Sequence, residues 1–104
     1  MMTAEIKQAC RRRRQLLALV EAFKASGPAK GKWLAETAGI EDFDEAYGLL
    51  MDLVNLGMLE ALDMRTSKYQ TAGLLFTHYR ITAKGTRLLA GLEPVEPLIE
   101  DERI

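Results

Sequence analysis

Leu53-Val54-Asn55-Leu56-Gly57-Met58-Leu59-Glu60-Ala61-Leu62-Asp63 is the stretch on which the fold turns, because the hydrophobic period changes inside it. Before Gly57, Phe43, Ala46, Leu50, Leu53 and Val54 recur at helical spacing, which predicts a helix over residues 43–56. Asp42-Phe43-Asp44-Glu45 has the spacing of a capping box and marks its start. Gly57 marks its end, since glycine suits the left-handed conformation that closes a helix. After Gly57, residues 58–63 are short and compatible with a strand.

Working outward, residues 64–73 read as turn material. Leu75-Phe76-Thr77-His78-Tyr79-Arg80-Ile81 reads as a second strand, with Leu75, Thr77, Tyr79 and Ile81 facing a core and His78 and Arg80 facing water. Thr82 caps a short helix over residues 83–90 that Gly91 ends. Toward the N-terminus, Leu16, Leu19, Val20 and Phe23 form a stripe on a long helix over residues 3–26, with Thr3 as N-cap and Ser26-Gly27-Pro28 as stop. Ile6, Cys10 and Leu17 extend a neighbouring face. A short helix covers residues 32–38. Residues 92–104, with Pro94, Pro97 and mostly acidic charge, read as a tail. The order is three helices, two strands and a closing helix: an α+β domain over residues 1–91 whose third helix leads into a β-hairpin wing, a winged helix-turn-helix.

Composition narrows the function classes. The chain has 104 residues, 48% hydrophobic and 28% charged, values of a globular domain. One cysteine, Cys10, leaves no disulfide within the chain and no cysteine-rich zinc site. No apolar run approaches the length of a membrane span, and no signal-peptide core is apparent, so the expected setting is the cytoplasm. The net charge of -1 hides alternating blocks. Residues 1–30 carry seven basic and two acidic side chains, and residues 31–62 one basic and seven acidic. Residues 63–90 carry five basic and one acidic, and residues 91–104 one basic and five acidic. Such blocks can form opposed patches on a folded surface.

Three segments in order carry a resemblance. Leu34-Ala35-Glu36-Thr37-Ala38-Gly39-Ile40 looks like a second helix and turn. Leu50 and Leu53, followed by Asn55-Leu56-Gly57-Met58-Leu59-Glu60, look like a third helix entering a wing. Tyr79-Arg80-Ile81-Thr82-Ala83-Lys84-Gly85 looks like the strand-to-helix step that closes it. Over about residues 12–91 the chain resembles winged helix-turn-helix regulators of the MarR/PadR kind. Its size and acidic tail are also similar to small winged-helix proteins of Mu-like prophages. The resemblance implies a small, non-enzymatic regulator that binds double-stranded DNA, with the third helix in the major groove and the wing on the backbone. It also implies dimers, for which Ile6, Cys10 and Leu17 are seam candidates unless they fill the monomer's own core.

The third helix departs from that pattern. Its groove-facing positions read as Asp44, Glu45, Tyr47, Gly48, Met51 and Asp52, none of them basic. Attraction to DNA then falls to Arg11, Arg12, Arg13 and Arg14 on the first helix, Lys32 on the second, Arg65 and Lys68 in the wing, and Arg80, Lys84 and Arg87 beyond it. Four consecutive arginines span about 300° of a helix and cannot form one flat patch; they either reach a partner or pair with the acidic block. The alternative function is a protein-interaction module that uses Asp44, Glu45, Tyr47, Met51 and Asp52 and binds no DNA.

No catalytic, cofactor or metal site is expected. His78 lacks an orienting partner nearby in sequence and reads as a solvated strand residue. Trp33 reads as a core anchor. Gly27, Gly31 and Gly39 lack the lysine-serine ending of a phosphate loop. Asp42, Asp44 and Glu45 read as a helix start, whose dipole favours acids, and not as an acid-base pair.

Overall fold

A computed structural model of the chain describes residues 3–62 and 77–100. Its elements are α1 (Ala4–Ala22), β1 (Ala29–Lys30), α2 (Gly31–Thr37), α3 (Phe43–Asn55), β2 (Leu59–Leu62), β3 (His78–Ile81) and α4 (Ala83–Leu89), with one 3-10 turn at Lys24–Ser26. Among the described residues this is an α+β arrangement of four α-helices and a small antiparallel sheet in the order β1-β3-β2. Leu59 pairs with Ile81 and Leu62 with His78, while Ala29 pairs with Tyr79 on the other side of β3.

Helix starts follow the local chemistry. Thr3 Oγ1 accepts from the Ile6 amide, and Asp42 Oδ1 accepts from the Asp44 and Glu45 amides. Helix α3 ends in a Schellman closure: Gly57 has φ +77°, its N–H donates to Val54, and the Met58 N–H donates to Leu53. Helix α4 starts against this junction. Thr82 Oγ1 donates to the Gly57 carbonyl at 2.6 Å and accepts from the Gly85 amide at 3.0 Å. Gly85 lies so close to Met58 that a Cβ there would sit 2.5 Å from the Met58 carbonyl oxygen.

The core is built from Leu16, Leu17 and Val20 of α1, Leu34 and Ala35 of α2, Ile40, and Ala46, Leu49, Leu50 and Leu53 of α3. Met58, Leu59, Tyr79, Leu88 and Ile99 complete it. Tyr79 is fully buried, and burial pushes its phenol up to about 12, with nearby Tyr47 adding to the shift.

Several expectations are corrected. Helix α1 stops at Ala22, four residues early, because the chain tightens into a 3-10 turn. Phe23 thereby leaves the apolar stripe and is 47% exposed, as the buried face of α1 runs through Cys10, Leu16, Leu17 and Val20. Cys10 and Leu17 are core residues and are not available as a dimer seam; Ile6 is exposed. Trp33 does not anchor the core: Gly31, Leu34 and Ala35 occupy the inner face of α2, and Trp33 is 38% exposed. Phe43 is likewise exposed, and Leu49 takes a buried place on α3. Strand β1 had no signal beyond two residues.

The segment beyond Gly91 is not a free tail over its described part. Ile99 enters the core, the Glu100 amide donates to the Cys10 carbonyl, and the Cys10 thiol donates to the Pro97 carbonyl. Leu75, part of the expected second strand, lies outside the described residues, as do Arg65 and Lys68 of the expected wing.

Candidate nucleic-acid interface

Helix α3 turns Ala46, Leu49, Leu50 and Leu53 inward. Its opposite face therefore carries Asp44, Gly48, Met51 and Asn55, spaced i, i+4, i+7 and i+11, with Tyr47 half-buried beside them. Of the expected groove-facing residues, Asp44, Tyr47, Gly48 and Met51 lie on this outer stripe. Glu45 and Asp52 do not. They sit on the flank toward α1, where Arg12 binds Glu45 and Arg13 binds Asp52 at 3.0 Å. Asn55 belongs to the stripe and was missed; the same 3.6-residue period, carried one turn beyond Met51, locates it.

The four acids of this helix thus have separate employments. Asp42 caps the first amides, Glu45 and Asp52 are neutralised by α1, and Asp44 alone stands on the outer stripe. The arginine run divides as its angular spread demands. Arg11 reaches Glu100 at 3.2 Å, while Arg13 also donates to the Leu98 carbonyl at 3.0 Å and so ties α3, α1 and the C-terminal segment together. Arg14 is half-buried.

The remaining candidates are scattered. Lys84 lies at the C-terminal end of α3 and donates to the Leu56 carbonyl at 3.1 Å, a cation placed where the helix dipole is negative. Arg80 pairs with Glu60 across β2 and β3, and Arg87 with Glu93. Lys32 lies 3.9 Å from Glu36 on α2. The structure therefore brings Arg12, Arg13 and Lys84 to the margins of α3, and leaves Lys32, Arg80 and Arg87 in local pairs elsewhere. The exposed pairs are of the kind worth about 0–1 kcal/mol, so a phosphate can compete for such a guanidinium or ammonium.

No helix among the described residues is long and apolar enough to cross a membrane. Comparison with family models, curated proteins and solved structures finds no match to this chain.

Proposed function

We propose that the chain is a winged helix-turn-helix protein that binds double-stranded DNA through α3 and acts as a small cytoplasmic regulator of transcription. The observation that carries this reading is the clearing of acids from the outer stripe of α3. Capping and pairing with α1 leave Asp44 as its single carboxylate, beside Tyr47, Gly48, Met51 and Asn55. The charge departure in the sequence is therefore weaker in three dimensions than in a count along the helix.

The element order supports the same reading: three helices, a β2–β3 pair and a closing helix follow the layout that presents a third helix to the major groove. Asn55 carries an amide that can read an adenine edge, and Gly48 permits close approach of the backbone. Arg12 and Lys84 at the margins of α3 supply phosphate contacts by exchange from their present partners, while Arg13 stays bound to Asp52 and the Leu98 carbonyl.

Fluorescence anisotropy of a labelled random duplex tests it. Affinity should fall about ten-fold or more between ~50 and ~200 mM salt, as release of several counterions requires. Lys84→Gln should weaken binding and flatten the salt slope by about one contact. Absence of binding at the lower salt refutes the proposal. That result would favour the second reading, an interaction module for protein. Its support is that the α3 stripe itself carries no cation and offers Tyr47 and Met51.

A further inference from the structure

The outer stripe of α3 is one-sided in the hydrogen bonds and apolar contacts it can offer to a base edge. Asp44, Gly48 and Asn55 are exposed, and Tyr47 and Met51 are half-buried beside them. From Asp44 to Asn55 the helix rises about 16 Å, the reach of about five base pairs. No lysine or arginine stands on the stripe. The cations at its margins are held off it: Arg12 on Glu45, Arg13 on Asp52 and the Leu98 carbonyl, and Lys84 on the Leu56 carbonyl.

This inventory discriminates among bases. Guanine turns two acceptors, N7 and O6, into the major groove, and proteins meet them with the paired donors of arginine or with lysine. The stripe has neither, and Asp44, which only accepts, meets them with like polarity. Adenine presents an acceptor at N7 beside a donor at N6, a pair that one carboxamide matches with two bonds. Asn55 is the carboxamide of the stripe. Thymine adds a 5-methyl group, for which the Met51 side chain offers an apolar contact. The remaining groups do not oppose that choice. Asp44 accepts from the amino group of adenine or cytosine, and the Tyr47 hydroxyl either donates or accepts.

Building on α3 as the DNA-contacting helix, and resting on that reading, we infer that its outer stripe selects A·T base pairs by their major-groove edges. Asn55 bonds adenine N6 and N7, and Met51 covers a thymine methyl. Phosphate contacts from Arg12 and Lys84 set the register and carry no sequence preference.

Duplexes of equal length and phosphate count test the inference by fluorescence anisotropy at ~50 mM salt, built from A·T, from G·C and from inosine·cytosine pairs. An inosine·cytosine pair lacks the guanine 2-amino group, so it keeps the major-groove face of G·C and takes the minor-groove face of A·T. The A·T duplex should bind at least about ten-fold more tightly than both others, with the same salt slope for all three. Asn55→Ala should remove most of that ratio, with the circular dichroism spectrum unchanged. Uracil in place of thymine should weaken binding about three-fold, the worth of one buried methyl, and Met51→Ala should erase that difference. Equal affinity for the A·T and inosine·cytosine duplexes assigns the choice to the minor groove or to duplex flexibility, and overturns the inference while duplex binding stands. So does tighter binding of the G·C duplex, or an A·T preference that Asn55→Ala and Met51→Ala both leave unchanged. Failure to bind any of the three refutes duplex binding and selectivity together.

Discussion

Gly85 and Tyr79 show how single residues are constrained at the α3–β2–α4 junction and in the sheet. A methyl group at Gly85 would meet the Met58 carbonyl oxygen at 2.5 Å and Ile81 Cγ1 at 2.8 Å, and neither the backbone nor a packed isoleucine can move cheaply. Gly85→Ala should therefore destabilise the fold by about 1–3 kcal/mol, measured as a lower urea midpoint at unchanged slope. Tyr79 is buried, and its hydroxyl finds no hydrogen-bond partner among the described residues. Its phenol is raised to about 12 by burial and then by Tyr47, so the folded state holds this proton more tightly than the unfolded chain, whose tyrosines ionise near pH 10. The stabilisation is fully present below pH ~10 and is lost as pH rises toward 12, a change on the order of 2 kcal/mol. Urea titrations at pH 9 and 12 should show that loss, and Tyr79→Phe should reduce it.

At the scale of elements, Arg13 is the joint between α1, α3 and the C-terminal segment. It bonds Asp52 and the Leu98 carbonyl, each at 3.0 Å, with its side chain largely buried. Arg13→Ala removes both links, so about 1–3 kcal/mol of stability should be lost, consistent with hydrogen bonds to a charged group. Amide exchange at Glu100 should quicken more than exchange in α3, because the Glu100 N–H bonds the Cys10 carbonyl only while the segment lies on α1. Unchanged exchange at Glu100 would show that Ile99, the Cys10–Pro97 bond and the Arg11–Glu100 pair hold the segment without Arg13. The order of the four helices with β2 and β3, though not β1, and the caps at Thr3, Asp42 and Thr82 were legible in the sequence because they depend on neighbours within a few residues. The positions of Trp33 and Phe23 were not: hydrophobicity announces burial, but which face of α2 meets the core depends on α1 and α3. The return of residues 97–100 was hidden for the same reason, since it rests on contacts with Cys10 and Arg13 across most of the chain.

At the scale of the whole molecule, the alternating charge blocks largely close on one another. The N-terminal arginines meet the acids of α3 and of the C-terminal segment, in the pairs Arg12–Glu45, Arg13–Asp52 and Arg11–Glu100. A candidate DNA surface was readable from the sequence as a set of residues, but the pairing that sorts Glu45 and Asp52 from Asp44 needed the packing of α1 on α3. The same packing yields a charge prediction. Asp44→Asn removes the one carboxylate of the outer stripe, so it should strengthen duplex binding several-fold with little change in salt slope. Glu45→Gln should also strengthen binding, because it spares Arg12 the exchange from Glu45 to phosphate. The most direct test of the central claim is a ¹H–¹⁵N spectrum of the labelled chain titrated with a short duplex at low salt. The account predicts that amide shifts concentrate at Asp44, Tyr47, Gly48, Met51 and Asn55 and at Lys84. Shifts confined to other surfaces, or none at all, would contradict it.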